Sequence, residues 1–287
     1  MTWAPLLAIG SAFGFGVAGV LLRRGLEYTG PVSAAVVSVT VTTAFIWALA
    51  ALTTPLDRLL TWRIWPFLLA GLVAPGLARL FFFMGIDRIG VARAFSLMAG
   101  APLFAVLLAI VFLGERPGPL LLVGAVAIVA GGVLLARRVH EERPWRRRDM
   151  ILPLLGALGF AVRDNLSRWG FREYGDALTA AAAATVTSLA MMWLVAGVRR
   201  AKLDLPGIAL VFLICSGLFE GLAYLSMWRA LAIGDVSVVS PLVNAHSIVA
   251  IALAAVFLRD LERVTWRIAA AAALIVAGVA LVMRGAH

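Results

Sequence analysis

Long apolar stretches alternate with short polar segments along the whole chain. Only helices or closed barrels satisfy every backbone polar group in lipid, and strand-type alternation is absent. A helix of about 20 residues crosses roughly 30 Å of hydrocarbon. The pattern therefore predicts an all-α integral membrane protein with ten transmembrane helices. The predicted spans run near residues 3–22, 32–52, 65–86, 92–113, 118–137, 149–168, 177–198, 206–231, 236–258 and 265–284.

The second half of the chain repeats the first at an offset of about 145 residues. The matching segments are 23–30 (RRGLEYTG) with 168–175 (RWGFREYG), 40–43 (TVTT) with 185–188 (TVTS), and 112–116 (FLGER) with 257–261 (FLRDL). Each copy holds five spans, an odd number, so the second copy must enter the membrane from the opposite side. The sequence predicts two inverted five-helix repeats, at residues 1–138 and 149–287, joined by a basic linker at 139–148.

Composition agrees with a membrane protein. Hydrophobic residues make up 63% of the 287 residues, charged residues 14%, and the mean hydropathy is +1.00. A soluble domain of this size could not bury so much apolar surface in one core. The single cysteine, Cys215, lies in an apolar span, which excludes a disulfide framework or a cysteine metal site.

The net charge of +10 comes mainly from arginines that flank the spans. Basic residues at these positions meet anionic lipid headgroups, whereas a nucleic-acid-binding protein would gather them on a soluble domain. We therefore expect a lipid bilayer with anionic headgroups, and no nucleic acid, as a partner. Arginine dominates the 25 basic residues, since Lys202 is the one lysine. We interpret this usage as the coding bias of a bacterial host.

Several features occur twice and together resemble a known family. They are a glycine-rich first span, small-residue third and fourth spans that lead into Pro102 and FLGER, and IVAGGVLL at residues 128–135. The chain resembles the EamA-type transporters of the drug/metabolite transporter (DMT) superfamily over nearly its whole length. The second copy departs from the pattern, with His246 in place of Pro102 and Arg259-Asp260 in place of Gly114-Glu115.

The resemblance implies a ten-helix carrier that works without nucleotide hydrolysis in the cytoplasmic membrane. Its cargo would be amino acids, amines, carboxylates, nucleotide-related metabolites or drugs. The resemblance also implies that both termini lie in the cytoplasm. Counting basic residues in the loops gives the opposite orientation: seven Lys or Arg lie on the side of the termini and sixteen on the other side. The positive-inside rule then predicts that the termini lie outside.

Glu220 and His246 lie near the middle of the predicted eighth and ninth spans. An ionisable residue at the bilayer centre costs roughly 2.5–3.5 kcal/mol on insertion scales, and such residues often mark a transport pathway. Carboxyl and imidazole groups can both change protonation within a protein, so either residue could exchange a proton for substrate. The alternative is that they bind each other or a backbone carbonyl for structural reasons.

Arg79 in the third span corresponds to Tyr224 under the repeat, and Tyr224 lies one helical turn from Glu220. We therefore expect Arg79 to lie near Glu220 and Tyr224, across the two repeats. The guanidinium could bind a carboxylate and Glu220 an ammonium, which would suit a zwitterion such as an amino acid. The alternative is an Arg79–Glu220 ion pair that locks the bundle.

Arg163, Asp164 and Asn165 form a polar break late in the sixth span and are candidates for a gate or mouth. Asp164 precedes Arg168 by four residues, so an ion pair on the helix surface is the simpler explanation. Aromatic residues could wall a cavity for an amphipathic ligand, although contacts with lipid or neighbouring helices are the default; they are Phe81, Phe82, Phe83, Tyr224 and Trp228. The matched hydroxyls Thr40, Thr43, Thr185 and Ser188 are expected to pack between helices, with a cavity-lining role as the alternative.

The sequence carries no visible catalytic machinery, so we expect no enzyme, no cofactor and no bound metal. Residues 14–19 match GxGxxG but lie in an apolar helix, without the strand that a dinucleotide site requires. Asp235 is expected to cap the ninth span.

The favoured hypothesis is a secondary transporter that moves a small metabolite by alternating access, as an exporter that could couple to protons. The alternatives are a flippase for lipid-linked precursors and a non-transporting scaffold. Ten helices can enclose a site in one chain, so a monomer or homodimer is expected.

Overall fold

The computed structural model describes residues 3–55, 61–89, 91–136, 146–198, 200, 203–257 and 266–286. Within these ranges the regular secondary structure is helical and contains no strand, which confirms the all-α prediction. Most of the predicted linker, residues 139–145, and most of the second FLGER-like segment, residues 258–261, lie outside the described residues.

The first repeat begins with two long helices and continues with shorter ones. Proline at the first or second position starts five of these helices, where its missing N–H costs nothing. A π-helical turn, Leu72–Leu77, joins the third and fourth helices, and another, Ala109–Leu113, follows the sixth. The helices are α1 (Ala4–Gly25), α2 (Pro31–Thr53), α3 (Trp65–Gly71), α4 (Ala78–Ile89), α5 (Val91–Met98), α6 (Ala101–Leu108) and α7 (Pro119–Ala136).

The second repeat begins after a short 3-10 turn at Arg147–Met150. Its helices are α8 (Ile151–Gly170), α9 (Ala177–Val198), α10 (Gly207–Ile233), α11 (Val236–Asn244), α12 (His246–Phe257) and α13 (Trp266–Gly285). Breaks at Gly100, between α5 and α6, and at Ala245, between α11 and α12, occupy corresponding positions of the two repeats. Each break lies close to a proline, Pro102 or Pro241, which interrupts the helical hydrogen bonds.

Six described segments are long and apolar enough to cross a membrane: Ala4–Gly25, Pro31–Thr53, Trp62–Ile86, Arg93–Leu113, Ala177–Val198 and Gly207–Ile233. They coincide with six of the ten predicted spans. Three further apolar helices, Pro119–Leu134, Val236–Ala250 and Ala269–Gly285, are shorter. Helix α8 is 20 residues long and includes Arg163, Asp164 and Arg168, which lower its hydropathy. The protein is thus a multi-pass helical membrane protein.

Side-chain contacts define the two ends of the bundle. At one end, Arg172 Nη2 donates to Leu113 O at 2.8 Å, and Arg168 Nη1 donates to Ala232 O at 2.9 Å. This end joins the C-terminal parts of the helices α8 and α10 to the segment after α6, and we call it the closed end. At the opposite end, Thr29 hydrogen bonds to Asp204 O, and Arg88 Nη1 lies 3.2 Å from Asp149 Oδ1.

Helices of the two repeats approach one another closely. A Cβ built on Gly71 of α3 would lie 2.0 Å from Ala184 O of α9, and one built on Gly14 of α1 would lie 2.8 Å from Ala223 Cβ of α10. Small residues let helix backbones come this near, as is usual between membrane helices. The core therefore lies between the repeats, where the candidate site is also found.

Candidate functional site

Arg79 and Glu220 form an ion pair between the repeats. Arg79 Nη2 of α4 lies 3.2 Å from Glu220 Oε1 of α10, and the two side chains are 23% and 17% exposed. Ser38 of α2 donates to the other carboxylate oxygen, Glu220 Oε2, at 2.5 Å. The structure thus brings Arg79 and Glu220 together, and it adds Ser38, which the sequence did not indicate.

The local sequence explains how three helices meet at this carboxylate. Glu220 lies near the middle of α10, between Gly217 and Gly221. A Cβ on Gly217 would lie 2.9 Å from Ser38 O and 2.7 Å from Val41 Cβ. Glycine on α10 therefore lets α2 approach closely enough for Ser38 to reach Glu220.

The segment before Arg79 is broken. Within the turn at Leu72–Leu77, Ala74 has extended backbone angles (φ −150°, ψ 132°) and is followed by Pro75. Proline removes a backbone donor and interrupts the helix. Arg79 stands at the second position of α4, directly after this break. Broken helices commonly line the binding sites of secondary transporters.

Aromatic side chains fill the core between Glu220 and the closed end. Trp228 is 0% exposed, and its ring lies 5.6 Å from that of Phe67 and 5.9 Å from that of Phe171, measured between centroids. Tyr224 packs on Trp228 with a centroid distance of 5.7 Å. We call Phe67, Phe171, Tyr224 and Trp228 the aromatic plug. The aromatic plug lies between this ion pair and the closed end. The exposed surface of Arg79 and Glu220 therefore faces the opposite end or the lipid.

Arg163, Asp164 and Asn165 are buried, with 7%, 4% and 7% exposure. Arg163 donates to Asp164 Oδ1 through Nη2 at 2.7 Å and Nε at 2.9 Å, and its guanidinium lies 5.0 Å from the Phe160 ring centroid. Asn165 Nδ2 donates to Ala105 O at 3.0 Å. The prediction of an Asp164–Arg168 ion pair is therefore wrong, because Asp164 binds Arg163 inside the bundle. Arg168 instead lies 3.6 Å from Asp235.

His246 begins α12 and does not contact Glu220. Its Nδ1 lies 3.1 Å from Val243 O, and its ring meets the edge of Phe15 with a centroid distance of 6.2 Å. A backbone carbonyl is thus its polar partner. A role for His246 in proton exchange stays a prediction.

The cap of α11 comes from the other repeat. Asp235 occupies the N-cap position, but its side chain makes no capping hydrogen bond. Glu115 of the FLGER segment accepts hydrogen bonds from Val236 N at 2.8 Å and Ser237 N at 2.9 Å. The prediction that Asp235 caps this helix is therefore wrong, and Glu115 takes that role at the closed end.

The matched hydroxyls all donate to backbone carbonyls, and two of them reach another helix. Ser188 Oγ donates to Gly71 O at 2.9 Å, and Thr43 Oγ1 donates to Thr185 O at 3.4 Å. Thr40 and Thr185 donate within their own helices, to Val36 O at 2.7 Å and to Ala182 O at 2.9 Å. These contacts agree with the packing interpretation. Across the described parts of the chain, no group of three or more His, Cys, Asp or Glu side chains could hold a metal ion.

The family model of the EamA-like transporters matches residues 2–137 and, a second time, residues 148–284. The chain belongs to the EamA-like transporter family. This confirms the resemblance read from the repeated segments, and it makes the protein a membrane transporter of the drug/metabolite type. No curated protein sequence matches the chain.

A solved structure shares the fold of this EamA-like transporter. It is described only as the crystal structure of a protein, and it superposes with a TM-score of 0.85 at 20% sequence identity. The match covers 99% of this chain and 97% of the other. At this identity the likeness concerns the fold alone.

Proposed function

We propose that the protein is a secondary transporter that moves a small zwitterionic metabolite of the amino-acid class across the cytoplasmic membrane of a bacterium. It works by alternating access between two inverted five-helix repeats, as an exporter. Glu220 and Arg79 form the centre of its binding site. The observation that carries this proposal is the partly exposed Arg79–Glu220 ion pair between the repeats.

The position of the pair supports a binding role. Its two members come from different repeats, so a rocking motion of one repeat against the other changes their separation. The pair is held by one hydrogen bond, at 3.2 Å, and Arg79 makes no other polar contact with the described residues. Most of its five N–H donors therefore stay available for a ligand.

The charges of the pair support a zwitterion as cargo. A ligand that separates Arg79 from Glu220 must neutralise both, because an unpaired charge in a low-dielectric site is costly. An amino acid does so with its carboxylate on the guanidinium and its ammonium on Glu220. A ligand with only a carboxylate would require protonation of Glu220. This requirement would link the transport of acids to protons.

The test compares metabolites in the spent medium of cells that carry wild-type protein, Glu220→Gln, Glu27→Gln or an empty vector. All three proteins must reach equal abundance in the membrane. Glu27→Gln is the matched control, because Glu27 lies on the surface and pairs with Arg24 at 3.4 Å. We expect one zwitterion to accumulate outside with wild type and Glu27→Gln, and to fall at least tenfold with Glu220→Gln.

Three results would contradict the proposal. Identical media in all four cultures would exclude export, and equal export by Glu220→Gln would exclude the carboxylate from the site. Accumulation of a lipid-linked precursor on the outer leaflet, rather than of a soluble compound, would identify a flippase instead.

A further inference from the structure

Ser38 differs from neighbouring hydroxyl residues in α2. Thr40 and Thr43 each donate to the carbonyl oxygen four residues earlier in their own helix, at 2.7 and 2.8 Å. This carbonyl is a common partner for a hydroxyl within a helix. Ser38 Oγ instead donates across to Glu220 Oε2 of α10 at 2.5 Å, a length typical of a hydroxyl bound to a charged oxygen. The hydroxyl of Ser38 therefore belongs to the candidate site.

Close packing of α2 against α10 fixes this contact. Ser38 is buried, with 1% exposure. Thr42, one turn further along α2, donates to Gly217 O of α10 at 2.8 Å. Gly217 precedes Glu220 by one helical turn and lets the two backbones meet. The two helices thus hold Ser38 Oγ at Glu220 Oε2 without any contribution from Arg79.

The hydrogen bond from Ser38 explains why the ion pair is one-sided. An arginine and a carboxylate frequently form two parallel hydrogen bonds, one to each oxygen. Here Arg79 Nη2 reaches Glu220 Oε1 at 3.2 Å, while Glu220 Oε2 binds Ser38. The last torsion of a glutamate side chain turns easily, so a carboxylate without Ser38 can present both oxygens to the guanidinium. Ser38 prevents this by holding one of them.

We propose that Ser38 is a positioning residue that restricts the Arg79–Glu220 pair to one hydrogen bond. This inference rests on the proposed function and deepens it. A pair with one hydrogen bond separates more readily than a pair with two, so the ammonium of a zwitterion can replace Arg79 at Glu220 Oε1. Ser38 stays bound to Oε2 during this exchange and keeps Oε1 directed at the position that Arg79 leaves.

The first test needs no ligand. It compares thermal unfolding midpoints in detergent for wild type, Ser38→Ala, Arg79→Met and the double variant that carries both changes. Methionine keeps a long unbranched side chain but offers no donor. The matched control is Ser216→Ala in the same two backgrounds. Ser216 is also 1% exposed and donates between helices, to Ala18 O at 2.8 Å.

We expect Ser38→Ala to lower the midpoint at least about twofold more in the Arg79→Met background than in wild type. With arginine present, the freed carboxylate oxygen gains a second hydrogen bond from Arg79. With methionine present, the carboxylate loses the last donor that the described residues give it. Ser216→Ala should lower the midpoint equally in both backgrounds, because its hydroxyl binds only a backbone carbonyl.

The second test measures transport in proteoliposomes. Vesicles loaded with a mixture of L-amino acids exchange them for isotopically labelled ones outside, and mass spectrometry identifies those that enter. For the amino acid that enters fastest with wild type, Ser38→Ala should raise the half-saturating concentration about fivefold. The maximal rate should stay near that of wild type, because only the unloaded site contains the stronger ion pair. A structural defect would lower the maximal rate instead. Ser216→Ala should keep the wild-type half-saturating concentration.

Two results would overturn the inference. Equal midpoint shifts for Ser38→Ala in both backgrounds would show that Ser38 does not restrict the ion pair. An unchanged half-saturating concentration in Ser38→Ala would exclude Ser38 from substrate binding. Wild-type protein that exchanges no amino acid would remove the proposed function instead, and the unfolding test would still decide whether Ser38 restricts the pair.

Discussion

At the scale of single residues, Arg79 and Glu220 give a test of coupling within the site. Glu220→Gln or Arg79→Gln alone leaves one charge without its partner, so each should lower the free energy of unfolding by about 1–3 kcal/mol. The double variant should lose less than the sum of the two. Reversible unfolding of all four proteins in detergent gives the coupling energy.

The matched control for this double-mutant cycle is the surface pair of Arg24 and Glu27. Their side chains lie 3.4 Å apart and are about one-third exposed. Its coupling should stay below about 0.5 kcal/mol, as for other exposed pairs. Losses for Arg79 and Glu220 that simply add would contradict the ion pair.

The sequence predicted which charged residues lie inside the membrane-spanning helices better than it predicted the side chains that bind them. Arg79 was expected near Glu220 because the repeat maps it onto Tyr224, one turn away. Ser38 was missed, since a small hydroxyl in an apolar span gives no signal of the helix that faces it. Asp164 was matched to Arg168 by spacing, but burial makes its neighbour Arg163 the nearer partner. Side-chain direction is set by tertiary packing, which spacing does not encode.

At the scale of helices, the sequence predicted the apolar stretches well and their interruptions poorly. Breaks at Ala74, Gly100 and Ala245 lie within stretches that looked continuous, because hydropathy does not register backbone geometry. The N-cap of α11 was assigned to Asp235 from local sequence. Glu115 provides it across 121 residues of chain, a contact that only the fold creates.

Glu115 therefore links the first repeat to the second, and Glu115→Ala should weaken the closed end. It leaves the backbone N–H groups of Val236 and Ser237 without their acceptor, so we expect a loss of about 1–2 kcal/mol in the free energy of unfolding. Hydrogen exchange at the start of α11 should rise in this variant.

The control is Glu173→Ala, a change at an exposed residue near the same end whose side chain makes no hydrogen bond with the described residues. It should leave exchange at α11 as in wild type. Equal hydrogen exchange at the start of α11 in wild type and Glu115→Ala would show that the Glu115 cap does not stabilise the closed end.

At the scale of the whole molecule, the aromatic plug separates the partly exposed ion pair from the closed end, so we expect access to the pair from the opposite end. With Cys215→Ala as background, a membrane-impermeant thiol reagent should modify Glu220→Cys from the side of the opposite end. It should not modify Ala230→Cys, because Ala230 is 0% exposed near the closed end. Labelling of both positions from one side, or of Ala230→Cys alone, would contradict a closed plug.

The same labelling decides between the two predicted orientations. The chain begins α1 at the closed end, since a Cβ on Gly234 would meet Ala4 Cβ. If the termini lie outside, as the charge count predicts, the opposite end faces the cytoplasm and Glu220→Cys reacts in inside-out vesicles. An exporter in this state would load its substrate from the cytoplasm, and the plug would have to open for release. Reaction in right-side-out vesicles would instead support cytoplasmic termini, as the family resemblance implies, and the ion pair would then face outwards.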